Sequence, residues 1–216
     1  REQAADEFTF ERFSGSQALA AEPGMNRFIL DMRYPDAERV PGAVLWVATT
    51  RGPLATPGLY QVRLTVGERS MTQTFEWKRD PRLLVTAQDL QEQFDFLLRI
   101  RDKVTEINRA INQLRSVKRQ IENILGQVEG SEKGTEIIEA GKLLQKRLIE
   151  VEDALIQSKS KSPQDPLNYP IMLDNKIAAL ASVVASAETR PTEQSYQVFK
   201  ELSAKADEQL ASLNSI

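Results

Sequence analysis

The sequence predicts two modules joined end to end. Residues 1–80 read as a small all-β immunoglobulin- or fibronectin-like sandwich, and residues 81–216 as an antiparallel α-helical bundle with one long heptad-patterned helix. Two observations carry this prediction. Apolar residues alternate at period two before Asp80-Pro81, and they repeat at about three and a half after it, without switching back.

In the first module, Phe8 and Phe10 share one face of residues 7–13 with Thr9 on the other, a strand signature. After a Ser-, Ala- and Gly-rich loop, Phe28, Leu30 and Met32 repeat the alternation over residues 26–34, and residues 44–49 form a short apolar run around Trp46. Residues 51–58 hold two prolines and two glycines and read as a loop. The clearest hairpin follows. Tyr60, Val62, Leu64 and Val66 alternate with polar residues, and beyond Gly67-Glu68-Arg69, so do Met71, Phe75 and Trp77. Four or five strands fall short of the usual sandwich of about seven. The module is thus either minimal or completed by something upstream or by a partner strand.

Asp80-Pro81-Arg82 stops the last strand, and Thr86 with Asp89 starts a helix. Leu90, Leu97, Val104, Ile111, Lys118 and Leu125 fall at one seam position; Ile100, Ile107, Leu114, Ile121 and Val128 fall at the other. At 1.5 Å per residue such a helix is roughly 60 Å long, and its stripe needs a cover. Residues 126–134 read as a turn, 158–170 as a proline-marked linker, and 189–192 as a break at Pro191. The predicted helices therefore span about 86–127, 135–158, 171–188 and 192–213. The long one pairs with the shorter helices or with a second copy, so self-association through it is one expectation.

Composition excludes much chemistry. The 216 residues contain no cysteine and no histidine, which removes Cys nucleophiles, Ser-His and Cys-His dyads, the usual zinc sites and His-ligated haem. Net charge is −3 with both signs interspersed, so no nucleic-acid footprint stands out, and no apolar run reaches the roughly 20 residues of a membrane span. The chain begins at Arg1, as a processed chain or a fragment would. Glu150, Glu152 and Asp153, and Asp95, Asp102 and Glu106, are carboxylates of the kind that do acid–base work or bind a cation; among arginines and lysines they read as solvated helix faces. Lys118 is the charge out of place on the seam, either specifying register or a contact, or snorkelling from the bundle edge. Tyr34, Trp46, Tyr60 and Trp77 read as sandwich core rather than a carbohydrate platform. The glycines at 126, 130 and 134 lack the order of a phosphate loop, and Arg115, Lys118 and Arg119 share a helix with acids. No catalytic, cofactor-binding or metal-ligating residue is assigned, and no enzyme activity is expected.

Gly24-Met-Asn-Arg-Phe-Ile-Leu-Asp-Met-Arg-Tyr-Pro35, Gly52-Pro-Leu-Ala-Thr-Pro-Gly-Leu-Tyr-Gln-Val-Arg-Leu-Thr-Val-Gly67, Asp80-Pro-Arg82 and Gln93-Phe-Asp-Phe-Leu-Leu-Arg-Ile-Arg-Asp-Lys103 follow one another in that order. From about residue 22 to the end they resemble the C-terminal region of bacterial exported proteins with sortilin-like (BNR-type) β-propeller repeats, without the propeller. The resemblance implies export, hence a periplasmic or cell-envelope setting, and brings no catalytic residue. The expected function is a non-catalytic structural scaffold. It is an accessory subunit docking on and bracing a larger envelope or membrane complex, for example a photosynthetic or transport assembly, through protein partners. The alternative is a C-terminal interaction or dimerisation fragment of an exported, glycosyl-hydrolase-like propeller enzyme.

Overall fold

A computed structural model describes residues 22–128 and 134–216. Thr86 and Asp89 make a reciprocal cap: the Thr86 amide donates to Asp89 Oδ2 at 3.0 Å, and the Asp89 amide to Thr86 Oγ1 at 3.1 Å. These bonds satisfy donors that a helix start leaves orphaned. From this cap α1 runs over Ala87–Val128, followed by α2 (Gly134–Leu155), α3 (Leu173–Val184) and α4 (Glu193–Asn214). Helix α1 packs on α2, α3 and α4. The heptad seam lies against them, with Ile100, Val104, Ile107, Ile111 and Leu114 buried together with Leu148, Leu155, Ile177, Phe199 and Ala206. The chain's own helices thus cover the seam over these positions.

Helix ends follow side-chain chemistry that the hydrophobic stripe does not carry. Helix α1 continues through Gly126, so the predicted turn does not begin there; residues 129–133 lie outside the described residues. Helix α3 ends at Val184, where the buried Gln93 amide on α1 satisfies the carbonyls of Val184 (2.7 Å) and Ala187 (2.6 Å). Thr192 caps α4 by accepting from the Ser195 amide at 3.2 Å. Thr192→Ala is expected to lower stability by about 1 kcal/mol, measured as a fall in the urea midpoint with an unchanged slope.

The expected sandwich is overturned. The described residues contain one two-stranded antiparallel sheet, β1 (Gly58–Val66) and β2 (Arg69–Trp77), closed by a two-residue turn with Gly67 at φ +59°. Residues 26–34, read as a strand, contribute a single bridge, Arg33 to Leu54, and the run around Trp46 is irregular. The strand expected at 7–13 lies outside the described residues.

The physical reason is where residues 33–56 bury their apolar atoms. Ala37 and Val40 enter the helical core, and Ala43, Leu45 and Ala48 pack against it. Residues 35–41 run as an extended strap along α1, whose side chains read its carbonyls in order. Arg101 donates to Pro35 O (3.2 Å), Asn108 to Glu38 O (2.6 Å), Asn112 to Arg39 O (3.1 Å) and Arg115 to Pro41 O (3.4 Å). Fourteen helical residues and six extended ones both span roughly 20 Å, so the two rises match. Carbonyls bound to a helix surface are not available to a second sheet.

Candidate functional site

Two features stand out from this frame, an ion-pair node inside the bundle and the β1–β2 ribbon outside it. Helix α2 turns Glu152 inward, where it is 5% exposed. Its Oε1 accepts from Arg115 Nε and its Oε2 from Lys118 Nζ, both at 2.7 Å and both from α1; Ser158 adds a 3.4 Å contact. Burial pushes the Glu152 carboxyl up, but Lys118 and Arg115 outweigh it and hold it below the usual carboxylate range. A carboxylate kept ionised with both oxygens engaged fixes the register of two helices; it is poorly placed to exchange protons. Lys118 is therefore a register charge rather than a snorkelling one.

The other candidate carboxylates are not brought together. Glu150 and Asp153 are exposed on α2. On α1, Asp102 pairs with Arg101 at 2.6 Å, Glu106 with Lys103 at 2.5 Å, and Asp95 accepts from Gln91 at 2.9 Å. Among the described residues, no group of three carboxylates is placed to hold a metal ion. A cavity of about 200 Å³ lies between the strap and the helices, floored by Leu97, Ile100 and Val104 and rimmed by Arg33, Arg51 and Arg101. Its arginines bind the protein itself: Arg33 donates to Gly52 O at 3.0 Å, Arg101 to Pro35 O, and Arg51 pairs with Asp31 at 3.4 Å.

The ribbon is two-faced. In the observed register Tyr60 opposes Phe75, Leu64 opposes Met71, and Val62 and Val66 oppose Gln73 and Arg69, so one face is predominantly apolar; the other carries Gln61, Arg63, Thr65, Ser70, Thr72, Thr74 and Glu76 beside Leu59. Tyr60 stacks on Phe75 with centroids 5.8 Å apart, and the Tyr60 hydroxyl donates to Thr56 O. Beyond this pair the apolar face is open, with Val62 48%, Leu64 43%, Val66 68% and Met71 66% exposed. Neither strand packs on any helix among the described residues. The four aromatics expected in a sandwich core are dispersed instead. Tyr34 sits edge-on to Phe94 of α1 at 4.7 Å, Trp46 is exposed in a loop, and Tyr60 and Trp77 belong to the ribbon.

No family model, curated protein or solved structure matches this chain. The reading of its surfaces therefore rests on geometry. No helix among the described residues is long and apolar enough to cross a membrane. Sequence reasoning passed over the buried polar residues Gln93, Asn108 and Asn175, which tie loops to helices, and Asp174, which accepts from the Asn175 amide. A signal was present for the last two: they are a polar pair inside the apolar stripe that runs from Ile171 to Ile177.

Proposed function

We propose that this chain is a non-catalytic docking and bracing subunit that engages a protein partner through the apolar face of the β1–β2 ribbon. The single observation that carries this reading is that face: an alternating, predominantly apolar surface covered by no helix among the described residues. Two-stranded ribbons are marginal alone, and open edges with apolar faces invite pairing or covering by another chain. The strap supports the bracing half of the proposal, since Arg101 of α1 holds it at Pro35 O while the Arg33–Leu54 bridge and the Arg33 bond to Gly52 O tie the adjoining chain to the segment that leads into the ribbon. The setting suggested by the resemblance is the bacterial cell envelope, with subunits of a membrane-associated complex as partners.

The test uses the native assembly. Leu64→Glu with Met71→Lys is expected to reduce recovery of co-purifying partners at least about tenfold, the effect of losing about 1.4 kcal/mol of binding, with helicity by circular dichroism unchanged. Undiminished recovery would sink the proposal. The second reading, an interaction fragment of an exported propeller protein, is favoured by the same uncovered face if its cover is supplied by the same polypeptide. Mass spectrometry of the native protein separates the two: propeller peptides in one chain with these residues would replace the first reading by the second.

A further inference from the structure

We propose that residues 26–31 are a detachable third strand of the ribbon, which pairs with the outer edge of β1 in a second state of the chain. The inference concerns that edge and not the apolar face, so it stands or falls independently of any partner on the face. In this structure residues 26–32 belong to no strand, and among the described residues β1 is paired on one side only, by β2.

The register of the pairing is already set. Where the two segments meet, the Tyr34 amide donates to Pro53 O at 2.9 Å, the Ala55 amide donates to Met32 O at 2.8 Å, and Arg33 bridges Leu54 antiparallel. Continued without a slip, this ladder sets Ile29 opposite Gly58, Phe28 opposite Leu59 and Asn26 opposite Gln61. The sidedness of the backbone agrees. Backbone groups alternate between the two edges of a strand, so Pro53 and Ala55 predict that Leu59 and Gln61 turn theirs toward residues 26–31. The hairpin requires the same: its two-residue turn makes Val66 and Arg69 a hydrogen-bonded pair, so Leu64, Val62 and Tyr60 face β2 while Leu59 and Gln61 face outward.

A kink holds the segment off. Met32 has φ +54°, in the left-handed region that a side chain disfavours, and it sits where the short ladder ends; the facing chain bends at Pro57 before entering β1. Return of Met32 to extended backbone relieves that strain and lets residues 26–31 follow β1. Their side chains suit both faces. Phe28 comes beside Leu59, which is 78% exposed, and Ile29, 74% exposed, joins the apolar face beside Gly58. Pro57 has no amide, so Leu30 gains one bond there rather than two. Asn26 ends the strand with its side chain alone, Oδ1 accepting from the Glu22 amide at 3.2 Å and Nδ2 donating to Glu22 O at 2.8 Å. Three strands are what an independently stable sheet takes, and the third closes the β1 edge to foreign strands while leaving the apolar face open.

The chain has no cysteine, so an introduced pair reports the strand against a clean background. A Cβ at Gly58 meets nothing nearer than Tyr60 Cε2 at 3.9 Å, so Gly58→Cys is tolerated. Ile29→Cys with Gly58→Cys puts two thiols on one face at a non-hydrogen-bonded pair, a spacing within disulfide reach. Under mild oxidation it is expected to close an intramolecular disulfide at least about tenfold faster than Leu30→Cys with Gly58→Cys, whose side chains the strand would hold on opposite faces. Leu30 lies nearer the Arg33–Leu54 bridge, so a loose tether would cross-link it at least as fast as Ile29. Equal rates, a faster Leu30 pair, or cross-links formed between copies would overturn the proposal. Hydrogen exchange tests it in the unsubstituted chain: corrected for intrinsic rates, the Leu59 and Gln61 amides should be protected severalfold above that of Thr65, which faces the same edge beyond the strand's end, and Phe28→Pro should abolish the difference. Equal protection of the three amides in the unsubstituted chain would also overturn it.

Discussion

Gly52→Ala is expected to lower stability by at least about 3 kcal/mol, the range of severe overpacking. Gly52 lies where the strap and the returning chain cross. Its amide donates to Asp36 Oδ1 at 3.0 Å and its carbonyl accepts from Arg33 at 3.0 Å. A Cβ there would sit 1.8 Å from Tyr34 O and 2.6 Å from Pro35 O. Both are backbone atoms, so no rotamer change relieves the clash; the strands must part. Parting them breaks the Tyr34 amide to Pro53 carbonyl bond (2.9 Å) and pulls Ala37 and Val40 off the helical core. Urea unfolding followed by tryptophan fluorescence measures the effect. A variant within 0.5 kcal/mol of the parent, on the order of an ordinary surface change, would show that the crossing is looser than described.

Glu152→Gln is expected to cost about 2–4 kcal/mol at pH 7, because it leaves Arg115 and Lys118 without their shared carboxylate at the α1–α2 contact. The pH dependence has a definite sign. The folded pKa of Glu152 is depressed, so its contribution is present above the ordinary value of 4.5 and is lost as pH falls through the folded value. The gap between parent and variant should therefore be full at neutral pH and close in acid. Urea midpoints at pH 7 and near pH 3 measure it, and a gap that persists unchanged in acid would mean that packing, not charge, is what the substitution removed.

Both predictions rest on contacts that were unequally legible in sequence. Lys118 was visible as a charge on an apolar seam, and its partner Glu152 was visible as one of three neighbouring acids; nothing in the spacing said that Glu152 alone turns inward. That follows from the rotation of α2 about its axis, which is set by how Leu148, Val151 and Leu155 pack on α1. Gly52 stood in a loop rich in glycine and proline, where a glycine carries no special signal. Its need arises from chain crossing, a relation between residues 34 and 52 that no local window contains.

The error in the first module has the same origin. Period-two alternation correctly marks which residues of an extended segment face one way, and in residues 58–77 it coincides with a true ladder. In residues 26–49 it says nothing of what the segment lies against. Ala37 and Val40, three residues apart and so out of step with strict alternation, both turn onto a helix surface, and the strap's carbonyls are taken by Arg101, Asn108, Asn112 and Arg115. Extended backbone is compatible with either partner, because an amide or carbonyl is satisfied equally by a neighbouring strand or by a side chain.

By itself, the sequence determined the heptad seam, the Thr86–Asp89 helix start and the hairpin, since each depends on side chains within a few residues of one another along the chain. Tertiary structure alone decided that residues 33–56 belong to the helices, that Glu152 is buried between two cations, that Asn175 grips Trp46, and that the ribbon packs on none of the described helices. Those outcomes turn on competition between distant surfaces for the same apolar atoms and backbone groups. Local periodicity supplies the competitors, but only the assembled chain determines which of them meet.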